Sequence, residues 1–113
     1  MITFKQITKN EWKRGDFKAF ASINKTTEEL LGKFDIDFEN HYIEGLGKAK
    51  TAFFITSNNN QFLITEYLES TIPITEIFIL DNPKLLKDIF KEVLEVLNLD
   101  YSNLDWTNES VTN

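Results

Sequence analysis

A chain of 113 residues, 42% of them hydrophobic and ten of them phenylalanine, has the size of one domain and can bury a core without cross-links. The absence of cysteine excludes disulfides, thiol catalysis and thiolate metal sites, and fits a reducing compartment. The net charge of −6 is unevenly placed: residues 51–113 carry three lysines against ten carboxylates, residues 1–50 nine cations against eight, and no basic residue follows Lys91. Such a balance disfavours nucleic-acid partners and favours a basic protein partner.

Residues 2–20 hold no apolar core of a signal peptide, and no run approaches the roughly 20 apolar residues of a membrane span. The expected setting is therefore cytoplasmic. With no repeats and no linker, residues 1–113 read as one domain, with about 108–113 as a frayed tail.

Taken in order, Ile2–Ile7 reads as a short edge strand. Thr8-Lys9-Asn10-Glu11 has the spacing of a reciprocal capping box. Trp12, Phe17 or Ala19, Phe20, Ile23, Thr27, Leu30 and Leu31 then recur at three-to-four spacing, which predicts a helix over 9–31. Gly15 weakens its first turns, and Thr26 to Glu29 is a second capping box where a new helix could begin. Gly32 is a natural stop. Residues 34–42 switch to a period of two, with Phe34, Ile36 and Phe38 opposite Asp35, Asp37, Glu39 and His41. That is a strand with one wet face.

Residues 48–68 are the clearest signal. Two apolar runs flank Asn58-Asn59-Asn60, which predicts a β-hairpin. A turn centred on Asn58-Asn59 sets Ile55 opposite Phe62, Phe54 opposite Leu63 and Phe53 opposite Ile64. One face then carries Ala49, Phe53, Ile55, Phe62, Ile64 and Leu68 as core. The other carries Lys50, Ala52, Phe54, Leu63, Thr65 and Tyr67. A slip of one residue would exchange these sets. Residues 74–80 form a further strand, apolar on both faces. Asp81 or Asn82 is placed to cap, and Pro83 to open, a helix over 83–97 whose apolar face is Leu85, Leu86, Ile89, Phe90, Val93, Leu94 and Leu97. A last short strand falls near 104–107.

The expected fold is thus α+β: an antiparallel sheet of four to five strands with two amphipathic helices packed on one face.

No catalytic motif is present. The serines lie outside the G-x-S-x-G and S-x-x-K patterns, and Gly45-Leu46-Gly47-Lys48 lacks phosphate-loop spacing. Asp35, Asp37, Glu39 and His41 offer metal-ligand chemistry, but four groups in file along a strand spread over roughly 20 Å and do not converge. The chain therefore reads as a non-enzymatic, cofactor-free, inhibitor- or immunity-like binding protein. Its expected contacts with a basic protein partner are Glu95, Asp100, Tyr101, Asp105 and Trp106, acid beside aromatic. Phe54, Leu63 and Tyr67 mark a second interface or a homodimer surface. A small metal-dependent enzyme built on Asp35, Asp37, Glu39 and His41 is the alternative, and a structural homodimer another.

Overall fold

The computed structural model describes residues 2–13, 15, 17–80 and 84–108. They form one seven-stranded antiparallel sheet with a single long helix against one face. The strands are β1 (Phe4–Ile7), β2 (Phe17–Ile23), β3 (Glu39–Ile43), β4 (Gly47–Thr56), β5 (Gln61–Tyr67), β6 (Thr75–Leu80) and β7 (Trp106–Thr107). Helix α1 (Thr27–Leu31) is short and α2 (Leu86–Val96) spans three turns. The order across the sheet is β1-β4-β5-β6-β2-β7, and β3 also pairs with β4. The ten-residue β4 divides one edge between two strands: β3 pairs with residues 47–51 and β1 with residues 53–56. No helix among the described residues is long and apolar enough to cross a membrane.

This architecture corrects the expectation of an α+β fold with two packed helices and four to five strands. Residues 17–23 are not helical but form β2, hydrogen-bonded between β6 and β7. A register shift between Ala19 and Ala21 shows why the pattern misleads. The bulge interrupts the alternation, so Phe17, Phe20, Ala21 and Ile23 fall at spacings of three, one and two, which imitate a helical stripe. The Thr8–Glu11 box does form, with Thr8 N–H donating to Glu11 Oε1 at 2.9 Å and Glu11 N–H to Thr8 Oγ1 at 3.3 Å. It closes a turn rather than opening a helix. The Thr26–Glu29 box does cap a helix, the five-residue α1.

The hairpin forms with its register slipped by one. Thr56 N–H donates to Asn60 O at 2.9 Å, and Asn59 N–H to Thr56 O at 2.9 Å. The loop is therefore three residues long, with Asn59 in the left-handed region at φ 67°. Phe54 faces Phe62, Phe53 faces Leu63, and Ala52 faces Ile64. The Phe54 and Phe62 rings stack at 5.1 Å in the core, so Phe54 is fully buried and cannot be a contact surface. Phe53 takes its place on the other face.

Ala52, Phe54, Phe62, Ile64, Ile77, Ile79 and Ala21 thus form the covered face. Leu86, Ile89, Phe90, Val93, Leu94 and Leu97 lie over it, along the apolar side the sequence assigns to this helix, whereas Leu85, expected on that side, precedes the helix and is exposed. The expected capping at Asp81, Asn82 and Pro83 lies outside the described residues, as does most of the expected tail.

Two buried carboxylates fasten this layer. Glu92 on α2 accepts from Thr56 Oγ1 at 2.5 Å, Asn58 Nδ2 at 2.6 Å and Asn60 Nδ2 at 2.7 Å, all from the hairpin turn. At the other end of the sheet, Glu66 accepts from Thr27 N–H at 2.8 Å and Thr27 Oγ1 at 2.7 Å, docking α1, with Lys50 Nζ at 3.8 Å. Burial pushes the Glu92 carboxyl up, but the donors from Thr56, Asn60 and Asn58 prevail and hold it below the ordinary carboxylate value.

Two outcomes follow for stability. Phe54→Ala should cost about 3–5 kcal/mol in urea unfolding and Phe53→Ala clearly less; equal costs would contradict the register. Glu92→Gln should cost roughly 1.5–3 kcal/mol near neutral pH, because the amide offers one acceptor where three donors converge. A folded carboxyl that titrates below its unfolded value contributes fully above that value and loses its contribution as pH falls through the folded one. The gap between wild type and Glu92→Gln in thermal melting should therefore narrow from about pH 5 downward.

Candidate functional site

The sheet face turned away from α2 is open along its middle. Pairing registers place directly opposed residues on the same face. One polar row runs Glu39–Thr51–Thr65–Glu76–Ser22–Trp106, one residue from each of six strands. Beside it, one step along the strands, runs the apolar row Ile7–Phe53–Leu63–Phe78–Ala19. In this row Phe53, Leu63 and Phe78 are each half-buried. Further on, Lys5, Ile55 and Gln61 form the end nearest the hairpin turn.

The segment between β1 and β2 crosses this face, because its two strands lie four places apart in the sheet. It is anchored where Lys13 N–H donates to Gln61 Oε1 at 2.9 Å. Trp12 lies 4.3 Å from the Phe17 ring and 5.0 Å from the Phe53 ring, covering the apolar row from one side only.

On the other side is a concavity of about 380 Å³, between Lys9, Glu39, His41 and Ile43 at the rim and Thr51, Leu63, Thr65 and Phe78 at the floor. His41 Nε2 is 2.7 Å from Thr51 Oγ1, which is 2.9 Å from Thr65 Oγ1, a continuous chain of three polar groups. Tyr67 donates its hydroxyl to Glu76. Burial, and then the Glu76 carboxylate, push the Tyr67 phenol well above the ordinary tyrosine value. Lys9 and Glu39 pair at 3.5 Å on the exposed rim, a contact worth little to stability.

The four candidate metal ligands are only partly brought together. Glu39 and His41 share the open face on β3, whereas Asp35 and Asp37 precede the strand and are exposed. The Asp37 backbone is held by Gln6, whose side chain donates to its carbonyl at 2.5 Å and accepts from its N–H at 3.0 Å. Among the described residues no three His, Asp or Glu side chains converge on a common point.

The expected partner contacts lie around the sheet edge formed by β7. Glu95 is on the exposed side of α2. Asp100 accepts from Ser102 Oγ and from Ser102 N–H at 2.9 Å, capping the single 3-10 turn Tyr101–Asn103. These bonds, the Ser102 hydroxyl first, hold its carboxyl below the usual range. Tyr101 rests 6.0 Å from the Phe90 ring yet is 52% exposed. Asp105 N–H donates to Ser22 O at 2.8 Å and its carboxylate accepts from Asn24 Nδ2 at 3.1 Å. Trp106, opposite Ser22, is 46% exposed and closes the polar row.

Leu63 and Tyr67 stand on the open face as expected, but Phe54 does not. Phe53, Phe78, Thr51, Thr65 and Glu76 were missed as site residues. The available signal was the second apolar face of residues 74–80, which needs a second apolar surface beside it.

The chain matches no protein-family model, no curated protein and no solved structure. Tyr67 provides a direct check on the site's geometry. In absorbance titration, the ionisation missing from Tyr67→Phe should lie above the ordinary value of about 10. A phenol whose folded value is raised stabilises the fold below its unfolded value and ceases to do so as pH rises. Titration of that component in the ordinary range would rule out the Tyr67–Glu76 bond.

Proposed function

We propose that the protein is a non-catalytic binding domain, inhibitor-like in character, that docks a basic protein through the edge formed by β7 and the end of α2. The observation that carries this reading is that exposed acid and half-exposed aromatic stand side by side twice along this edge: Asp100 with Tyr101 on the α2 side, near the end of the helix that carries exposed Glu95, and Asp105 with Trp106 on the side of the open face. Large amphipathic rings anchor protein interfaces at small entropic cost, and surrounding carboxylates steer a cationic partner and set its orientation. The hydrogen bonds that fix Asp100 and Asp105 support it further, because a rigid edge loses little freedom on binding. Those same bonds divide the residues by role: Glu95 makes the cleanest electrostatic probe, whereas replacing Asp100 also removes a cap.

Affinity capture from a native lysate should recover a basic protein at low ionic strength, with recovery falling as salt is raised. With the captured partner, Glu95→Lys should slow association roughly three- to ten-fold at low salt and leave thermal stability nearly unchanged. Trp106→Ala should weaken binding by about 1–2 kcal/mol, mainly through faster dissociation. Binding that ignores both salt and Glu95→Lys would remove this reading.

A further inference from the structure

We propose that the open sheet face is a self-association surface: two copies stack face to face about a two-fold axis along the row Ile7–Phe53–Leu63–Phe78–Ala19. Three independent features of the face point to a second copy as its occupant.

The first is position. Phe53, Leu63 and Phe78 lie in line on three adjacent strands, half-buried, and among the described residues no layer lies over them beyond the crossing segment with Trp12. A two-fold axis along this line sets the row against itself, as an isologous interface requires.

The second is shape. Rotation about that line turns each molecule's hairpin-turn side onto the other's opposite side. The turn side carries a projection, the crossing segment with Trp12 and Lys13 seated on Phe53, Phe17 and Gln61. The opposite side carries the concavity of about 380 Å³ over Thr51, Thr65 and Leu63. The rotation brings projection over hollow twice in the same dimer.

The third is charge. Lys5 and Lys13 stand on the turn side, with Glu11 near Lys5 and fastened to Thr8. Glu39 and Glu76 stand on the opposite side, with Lys9 beside Glu39. The two sets are roughly 14 Å apart along the strands. The same rotation places the lysines of one copy over the carboxylates of the other, so the face is electrostatically complementary to itself.

Ile7 at the end of the row is already buried, so the accessible patch runs over four strands, roughly 14 Å. That lies at the small end of specific interfaces, so the association is reversible. It does not depend on the partner reading above: Glu95, Asp100 and Tyr101 lie outside the apolar row, and Trp106 is two strands beyond Phe78.

Sedimentation velocity of the full chain tests it, run from about 1 to 200 μM, where a small interface of this kind associates. The sedimentation coefficient should climb from monomer to dimer, and the midpoint should move to higher concentration as salt rises. Leu63→Arg, at a partly buried position on the open face, should give monomer throughout while keeping its melting transition. Should that variant not fold, Lys13→Glu on the exposed crossing segment should shift the midpoint at least several-fold upward. Glu95→Lys should leave the dimer intact, which separates this surface from the β7 edge. A wild-type monomer at every concentration overturns the proposal, and so does a dimer that withstands both substitutions on the face.

Discussion

The contact on which the rest of the structure depends is that of Glu92 with the hairpin turn. A carboxylate taken from water needs hydrogen-bond donors to remain charged, and this one finds three on a single five-residue segment. Thr56 serves both sides of the contact. Its hydroxyl donates to Glu92 while its oxygen lies 3.3 Å from Asn58 N–H and 3.2 Å from Asn60 N–H. The turn is thereby held at three residues, with Asn59 taking the positive φ. Because a strand alternates faces residue by residue, loop length decides which side chains enter the core. The buried acid thus holds the loop whose length places Phe54, not Phe53, beneath the helix.

From that choice follows the asymmetry of the molecule. One helix of eleven residues covers one face, and the short α1 is held at the far end by Glu66. Among the described residues, the opposite face receives only the crossing segment. That segment exists because β1 and β2, consecutive in sequence, lie at distant places in the sheet. It must cross one face, and the helix occupies the other. The open row and its flanking hollow are what the crossing leaves uncovered. The open face is thus a consequence of strand order, not of a motif.

Much of this was legible in the residues. Strands 48–56, 61–68 and 74–80 and the helix near 83–97 emerge from periodicity, because long apolar alternation has few other solutions. The failures have specific causes. The bulge at Phe20 gives β2 the spacing of a helix, and only its neighbours β6 and β7 resolve the ambiguity. The hairpin slip follows from a three-residue loop with Asn59, rather than Asn58-Asn59, at its turn; three consecutive asparagines leave both loops open, and the bonds of Glu92 to Thr56, Asn58 and Asn60 come from a helix more than 30 residues away. The strand expected over 34–42 begins only at Glu39, since Gln6 ties the Asp37 backbone to the β1 side. For the site, the need for a second apolar surface was visible, but its members were not, because membership depends on register.

The acidic composition also has a different meaning once the carboxylates are placed. Glu92 and Glu66 are internal fasteners, Glu76 is bonded to Tyr67, and Asp100 holds a turn. Glu69 accepts from Lys48 N–H at 2.6 Å beside Gly47, where the backbone turns at φ 87° and a side chain would strike the Glu69 carboxylate. Hydrogen bonds from neutral donors leave each of these carboxylates its full negative charge, but they fix its position and occupy its lone pairs. Glu95 differs from these in standing exposed on the outer side of α2. Composition gives only the sum of the charges; the hydrogen-bond pattern shows which of them are tied into the fold.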